Sequence, residues 1–194
     1  MIRGGTTMRI TGGERRGRRL ASFKGGRIRP TSDKVREAIF DLVGQYTVGL
    51  SVLDLFAGTG ALGIEALSRG ARRAVFVDNS PESLRLIRRN LGLCGYESES
   101  MVLKKDLSRG LPQAGELGDG MDLVFADPPY RKDHLLPILT DLSASSFLSE
   151  KATIVVEAGK EEHIPENIGR LSLAKTRVYG DTKICIYSYG GHDR

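Results

Sequence analysis

The chain has 194 residues with 29 Lys or Arg against 24 Asp or Glu, which gives a net charge of +5 at pH 7. This length fits one domain with a sizeable core, and a composition of 40% hydrophobic and 27% charged residues excludes collagen, coiled coils and wholesale disorder. No apolar run reaches the roughly 18 residues of a membrane span, and we expect no secretory signal and no membrane partner. Cys94 and Cys185 form no CxxC motif, so we expect reduced thiols, a cytoplasmic location and no metal site.

The positive charge is concentrated near the beginning of the chain. Residues 1–40 carry eleven Lys or Arg and three Asp or Glu, a net charge of +8, whereas the remainder carries −3. Glycines are interleaved with the arginines, and glycine lets a backbone approach a phosphate closely. We therefore predict that residues 1–30 are a basic extension that binds nucleic acid, and a solvated tail is the alternative. The arginines concerned are Arg9, Arg15, Arg16, Arg18, Arg19 and Arg29.

The first predicted helix follows Pro30, which disfavours helix at the residue before it. Thr31 or Ser32 can cap this helix, and its apolar positions Val35, Ile39, Leu42 and Val43 share one face. From residue 51 short apolar runs alternate with helical patterns. Strands are predicted at 51–56, 74–78, 101–103, 121–126 and 152–157, helices at 61–69, from Pro81 and at 134–148, a loop at 115–120, and a hairpin from 177–179 and 183–189.

This alternation predicts an α/β fold. Strands that alternate with helices form a mostly parallel sheet with helices on both faces. The terminal hairpin is expected to complete one edge of the sheet with antiparallel strands. Residues 31–194 would form this domain behind the basic extension.

A glycine-rich motif follows the first predicted strand. Gly58, Gly60 and Gly63 match GxGxxG, and Asp78 ends the second strand twenty residues after Gly58. The glycines permit a tight turn against a ligand, and an acid at that place can accept hydrogen bonds from ribose hydroxyls. Either NAD or S-adenosylmethionine would suit this motif.

The acidic residues favour the second of these cofactors. Asp54 lies four residues before Gly58, where it would repel a pyrophosphate but suit a cationic ligand, and S-adenosylmethionine carries a sulfonium and an ammonium group. Asp106 follows the third strand and could meet the adenine amino group. For any one of these acids alone, a helix cap or loop position is the better interpretation.

The segment Asp127-Pro128-Pro129-Tyr130 follows the fourth predicted strand, at the edge where open α/β sheets bind ligands. The two prolines lack N–H donors, and an ionised carboxylate only accepts hydrogen bonds. The site is thus suited to receive both hydrogens of an exocyclic amino group, and Tyr130 offers a ring on which a base can stack. Binding both hydrogens would free the nitrogen lone pair for attack. The alternative is a simple strand-ending turn.

These motifs resemble those of class I S-adenosylmethionine-dependent methyltransferases, in which DPPY is typical of amino-group methylation. The blocks at 8–20 (MRITGGERRGRRL), 29–40 (RPTSDKVREAIF), 54–60 (DLFAGTG) and 127–130 narrow the resemblance to the RsmD family. Members of that family methylate the N2 of guanine-966 in 16S ribosomal RNA. The resemblance implies a Rossmann-like, seven-stranded, mostly parallel sheet with a C-terminal antiparallel hairpin. An aromatic residue, often Phe, is usual at the position of Tyr130.

The same resemblance implies roles for individual residues. The cofactor would be held by Asp54, Phe56, Ala57, Gly58, Gly60, Asp78, Asn79, Asp106, Leu107 and Thr31, and the target base by Asp127, Pro128, Pro129 and Tyr130. Arg36 would lie near the cofactor, the base or a phosphate. The implied partner is 16S rRNA or the small ribosomal subunit. We expect the protein to be a monomer.

Three other functions share parts of this pattern. An adenine-N6 methyltransferase on DNA or RNA would keep the same site, and only the resemblance favours guanine. A nicotinamide-dependent oxidoreductase would share the glycine motif, but Asp54 and the DPPY segment argue against it. A binding module without catalysis is disfavoured by the intact Asp127 and Tyr130.

Overall fold

The computed structural model describes residues 8–23, 32–45, 47–118, 120–128 and 135–190. In this part of the chain the helices are α1 Asp33–Val43, α2 Ala61–Ser68, α3 Pro81–Cys94, α4 Ala114–Leu117 and α5 Leu135–Ala144, with a 3-10 turn at Leu107–Arg109. The strands are β1 Ser51–Leu55, β2 Arg73–Asp78, β3 Ser100–Lys104, β4 Met121–Ala126, β5 Leu148–Gly159, β6 Asn167–Ile168, β7 Leu171–Tyr179 and β8 Thr182–Tyr189.

The strands form one sheet in the order β3-β2-β1-β4-β5-β8-β7-β6. Neighbours from β3 to β5 are parallel, and β8, β7 and β6 are antiparallel to their neighbours. The mostly parallel sheet with an antiparallel C-terminal hairpin is therefore confirmed. The described chain adds one strand to the expected seven, the two-residue β6 beside β7.

Several boundaries differ from the predicted ones. Helix α4 occupies part of the predicted loop at 115–120, because Gln113 and Glu116 form a reciprocal capping box around its first turn. Helix α5 ends at Ala144, and β5 already begins at Leu148. Strand β7 begins at Leu171, six residues before the predicted start. The prediction missed this first part because much of the strand is exposed and its sequence lacks clear apolar alternation.

The sheet is covered on both faces, and its central strand β1 is buried throughout. On one face α1, α2 and α3 pack on residues such as Phe76 and Phe125. On the other face α4 and α5 pack on residues such as Val124 and Ile154. A strand enclosed in this way reads as a continuous apolar run, which is why the pattern at 51–56 predicted it.

Residues 8–23, here called the N-terminal arm, form an additional layer over α2. The arm folds back on itself, with a bridge between Arg9 and Arg19 and a hydrogen bond from Leu20 N to Met8 O of 2.9 Å. Its apolar side chains enter the core beside α1 and α2. Consequently all eight residues of α2 are buried. These residues are a packed layer rather than a solvated tail, and the predicted boundary at 30/31 lies outside the described residues.

None of the helices that the structure describes is both long and apolar enough to cross a membrane. The thiols of Cys94 and Cys185 are free and buried.

Candidate active site

The register of the parallel strands brings the two predicted motifs to one edge of the sheet. Leu55 of β1 pairs with Val77 of β2 and with Ala126 of β4. The next residues along these strands, Asp78 and Asp127, therefore flank the end of β1. Adjacent strands lie about 4.8 Å apart, so the two backbones are separated by about 10 Å. A ligand placed across the end of β1 can touch both.

The glycine-rich loop between β1 and α2 has three residues in the left-handed region, Phe56 at φ 56°, Gly58 at φ 56° and Gly60 at φ 77°. Phe56 is the one non-glycine with positive φ among the described residues, and such strain concentrates at functional sites. Among the described residues, a Cβ on Gly58 would meet only Phe56 O at 3.9 Å and Phe23 at 4.0 Å. The described part of the chain therefore leaves space for a ligand beside the loop.

Asp78 links the glycine-rich loop to the connection between β2 and α3. Its carboxylate accepts hydrogen bonds from Gly58 N at 2.9 Å and from Ser80 N at 2.8 Å. It remains half-buried, and a carboxylate can accept further hydrogen bonds through its remaining lone pairs. Asn79 beside it is exposed. Asp78 can thus both shape the loop and receive hydrogen bonds from a ligand.

The carboxylate of Asp106 lies beyond the end of β3, beside β2. It accepts hydrogen bonds from Ser108 N at 3.1 Å and Ser108 Oγ at 2.7 Å, and it is 42% exposed. Leu107 is buried in the core behind it. The carboxyl ends of β2 and β3 therefore present two acceptor groups, which suits a ligand rich in hydroxyl and amino donors.

Asp54 differs from the expectation that it faces a cationic ligand directly. It is 2% exposed, and its Oδ2 accepts a hydrogen bond of 2.9 Å from Gly63 N in the first turn of α2. Burial, with a smaller contribution from nearby Asp78, raises the pKa of Asp54 to about 8, although the hydrogen bond from Gly63 N acts in the opposite direction. The carboxyl group therefore holds α2 to the end of β1, and the electrostatic argument for a cation passes to Asp78 and Asp106.

Two of the glycines are required by packing. A Cβ on Gly63 would lie 2.4 Å from the Phe76 ring, so only glycine lets α2 approach β2 this closely. A Cβ on Gly60 would lie 3.3 Å from the same ring and from Ile87. The third and second glycines of the motif thus set the distance between helix and sheet.

The predicted base-binding segment is described as far as Pro128. Asp127 is half-buried and Pro128 is buried directly after β4. Glu157 lies in β5, two residues before its end, and is 8% exposed. Its Oε1 accepts a hydrogen bond of 3.4 Å from Thr182 Oγ1. Strand alternation places Asp127 and Glu157 on the face covered by α1, α2 and α3. Pro129, Tyr130 and Thr31 lie outside the described residues.

The predicted nucleic-acid contacts divide into two groups. Arg9, Arg16, Arg18 and Arg19 are exposed on the arm, and Arg15 is half-exposed while its Nε donates to Cys94 O at 3.0 Å. Arg29 lies outside the described residues. The exposed members place cationic side chains on the surface of the arm, which packs against α2 and α3.

Arg36 does not belong to that surface. Its side chain has no exposed area, and it contacts Asp33 at 2.8 Å and Glu65 at 3.4 Å while donating to Arg9 O. A phosphate or base cannot reach this guanidinium in the described arrangement. Arg36 instead joins α1 to α2 and the arm, because a buried arginine requires anionic partners.

Sequence reasoning missed a second set of arginines. Arg85, Arg88 and Arg89 are exposed on α3, the helix against which the arm packs through Asn90. Glu82 is the exposed acid nearest to them on this helix. The RLIRRN segment could have indicated them. Its arginines lie between the buried Leu84, Ile87 and Leu91, at positions that face outward on a helix.

Two buried polar side chains were also missed. Glu65 of α2 accepts hydrogen bonds from Thr11 N at 2.9 Å and Gly12 N at 2.7 Å, and it pairs with Arg69 at 2.9 Å. Asn90 of α3 is fully buried. Each interrupts an apolar helix face in the sequence, and such an interruption predicts a buried polar contact.

A cleft of about 790 Å³ opens at the other end of α2, away from the glycine-rich loop. It is lined by Glu14, Arg16, Glu37, Gln45 and Glu99 among others. Of the predicted site residues that the structure describes, only Arg16 is among them. The conformations of the glycine loop and the placement of the acids indicate the opposite end of α2 as the active site.

The similarity of this chain to known proteins includes both the arm and the sheet. The family model for conserved hypothetical protein 95 matches residues 8–188. The chain is 38% identical over 184 residues to YlbH of Bacillus subtilis, covering 95% of this chain and 100% of that protein. It is 32% identical over 184 residues to ribosomal RNA small subunit methyltransferase D of Escherichia coli, and the match covers 95% of this chain and 91% of that protein. The solved structure of yhhF from Escherichia coli matches with a TM-score of 0.81 at 32% identity, covering 96% of this chain and 99% of that one.

Proposed function

The chain belongs to the conserved hypothetical protein 95 family, and on that premise we propose that it transfers a methyl group from S-adenosylmethionine to the exocyclic N2 of a guanine in 16S rRNA. The observation that carries this proposal is the meeting of the glycine-rich loop and Asp127 around the end of β1. The similarity to a named small-subunit rRNA methyltransferase supports the substrate. The free cysteines agree with a cytoplasmic enzyme.

The cofactor side of the site suits S-adenosylmethionine better than a dinucleotide. Asp78 and Asp106 would accept hydrogen bonds from its ribose and adenine, and the open space beside Gly58 would admit it. Two carboxylates at this edge oppose a pyrophosphate, which carries the same charge. When bound, S-adenosylmethionine supplies an electrophilic methyl group.

The base side of the site would act through acceptors. The carboxylate of Asp127 and the carbonyl of Pro128 would accept both hydrogens of the guanine amino group, whose lone pair is otherwise delocalised into the ring. Holding both hydrogens moves the nitrogen toward tetrahedral geometry and directs its lone pair away from these acceptors. The contribution of the chain is therefore alignment and charge placement.

The RNA backbone would be held by the arm together with α3. The exposed arginines of the arm and Arg85, Arg88 and Arg89 form a cationic surface on the face of the sheet that carries Asp127. Contacts of this kind bind without regard to sequence and weaken as salt rises. The target guanine would have to leave its stack to reach the edge of the sheet.

The test is transfer of a labelled methyl group to small ribosomal subunits that lack their native methylations, followed by digestion to nucleosides. N2-methylguanosine is the expected product, and mapping of the modified nucleotide would follow. N6-methyladenosine would retain the chemistry of the site and overturn the assignment of the base. Absence of label from a preparation that binds the cofactor would overturn the proposed substrate.

A further inference from the structure

The side-chain amide of Asn90 joins the arm to the glycine-rich loop. Its Nδ2 donates to Thr59 O at 2.9 Å and to Ala21 O at 3.0 Å, and its Oδ1 accepts from Ala21 N at 2.7 Å. Thr59 belongs to the loop proposed to hold the cofactor, and Ala21 belongs to the arm proposed to hold RNA. Asn90 is fully buried, so no water competes for these hydrogen bonds.

Two further contacts join the arm to the same loop. Thr59 Oγ1 lies 3.7 Å from the sulfur of Met8, whose carbonyl accepts a hydrogen bond from Leu20 N in the returning half of the arm. Phe23 lies 4.0 Å from the position that a Cβ on Gly58 would occupy. The beginning and the end of the arm therefore both rest on residues 58–59.

The other polar contacts that hold the arm, which include those with Glu65, Ser68 and Cys94, are separate from the loop. The Glu65 carboxylate accepts hydrogen bonds from Thr11 N, Thr11 Oγ1 and Gly12 N. These hydrogen bonds hold the middle of the arm to α2. They fix the arm to the body of the domain without touching the loop. Among the described residues, Asn90 is thus a side chain that forms hydrogen bonds both to the arm and to the loop.

We propose that Asn90 is a positioning residue that couples the arm to the glycine-rich loop, so that cofactor binding and RNA binding strengthen each other. The inference rests on the proposed function. A ligand that orders the loop would hold Thr59 O in place, and Asn90 would then hold Ala21 and the adjoining arginines in place. Because such coupling is reciprocal, RNA would raise the affinity for the cofactor by the same factor.

The experiment measures RNA affinity with and without S-adenosylhomocysteine as the cofactor probe, using a 16S rRNA fragment. Wild type is expected to bind the RNA about fivefold or more tightly when the probe is saturating. Asn90→Leu removes all three hydrogen bonds, and Asn90→Ser keeps a smaller polar group. Both are expected to reduce the gain to less than about twofold, since each loses the bridge between loop and arm.

Thr11→Val is the matched control, because it removes the two hydrogen bonds of the Thr11 hydroxyl, to Glu65 and from Arg69, and leaves the link to the loop intact. It is expected to retain the full gain in affinity. A wild-type affinity that does not change with the probe, or a gain that survives in both Asn90 variants, would overturn the inference.

A second measurement needs no variant. Hydrogen exchange of the Ala21 amide, which donates to Asn90, is expected to slow when S-adenosylhomocysteine is added without RNA. Unchanged exchange at saturating probe would count against the coupling. Failure of the proposed function is a different result, since in that case subunits would gain no methyl group whether or not the coupling exists.

Discussion

At the residue scale, two aspartates of the glycine-rich loop region differ because their surroundings differ. Asp54 is enclosed between β1 and α2, whereas Asp78 is half-buried at the edge of the sheet. Both accept hydrogen bonds from backbone N–H groups of the loop and helix, Asp54 from Gly63 and Asp78 from Gly58. Enclosure raises the pKa of Asp54 to about 8, so this residue acts as a neutral structural group near neutral pH.

We predict that Asp54 makes stability fall as pH rises. The folded pKa of about 8 lies above the reference value of 3.8, so between these pH values the folded state holds a proton that the unfolded state lacks. Unfolding free energy then decreases by up to about 1.4 kcal/mol per pH unit in that window and is constant for this group above it. Asp54→Asn still accepts from Gly63 N and does not titrate.

Thermal melts of wild type and Asp54→Asn between pH 5 and pH 9 check this prediction. As pH rises, the melting temperature of the variant is expected to increase relative to that of wild type. Parallel curves across this range would show that Asp54 does not titrate in the folded state as described.

The carboxylate of Asp127 carries the second prediction at this scale. Asp127→Asn replaces one acceptor by an amide that can also donate, and it removes the negative charge beside the base. We expect the rate of methyl transfer to fall on the order of a hundredfold or more, as when one group that stabilises developing charge is lost. Binding of S-adenosylhomocysteine should be nearly unchanged.

Methyl transfer to small subunits and titration calorimetry with S-adenosylhomocysteine give the two readouts. Asp181→Asn is a suitable control, because this exposed aspartate lies in the turn of the β7–β8 hairpin. A nearly normal rate for Asp127→Asn would refute the role of the acceptor.

At the scale of elements, α2 shows how closely a helix must approach its sheet. The arm covers its outer side and the sheet covers its inner side, so it is buried on all sides. Gly63 faces the Phe76 ring with no room for a side chain. The glycine loop is held in place by this contact as well as by its own hydrogen bonds, so the packing of α2 determines the geometry of the site.

Gly63→Ala is therefore expected to destabilise the protein by about 1–3 kcal/mol, since a methyl group would overlap the Phe76 ring. Gly115→Ala in α4 is the control, because no atom of the residues that the structure describes lies within 4 Å of a Cβ there. It should be neutral or stabilise by up to about 1 kcal/mol through helix propensity. Chemical denaturation of both variants measures the difference, and equal stabilities would contradict the close approach.

At the scale of the whole molecule, cationic groups from distant parts of the sequence share one surface. The arm at residues 8–23 lies against α3, which adds Arg85, Arg88 and Arg89 to it. The RNA-binding surface proposed above therefore carries three more arginines than the basic segment of the first forty residues supplies. A face formed by two segments can bind more phosphates than either segment alone.

We predict that the double variant Arg85→Ala with Arg89→Ala weakens RNA binding and flattens its dependence on salt. Each lost phosphate contact should reduce the slope of log affinity against log salt by about 0.7 for single-stranded RNA. Lys175→Ala with Arg177→Ala, which removes two exposed cations from β7, is the control of equal charge. Filter binding at several salt concentrations measures both, and identical slopes would remove α3 from the RNA surface.

Local pattern predicted much of this molecule. Apolar runs gave the parallel strands, the glycine spacing gave the loop, and the position of Asp127 after β4 followed from the end of an apolar run. These features depend on neighbouring residues only. The weak alternation of β7 and the short α4 lacked such a pattern, so their limits were missed.

The sequence by itself therefore determined the class of fold and the two motifs at the sheet edge, because periodicity and spacing are local properties. Only the tertiary structure decided that Asp54 is enclosed, that Arg36 pairs with Glu65 and that Asn90 binds Ala21. Arg36 and Glu65 are separated by 29 positions in the sequence, and Asn90 and Ala21 by 69. A polar residue on an apolar helix face indicates burial, but its partner is decided only when the packed chain brings distant groups together and removes them from water.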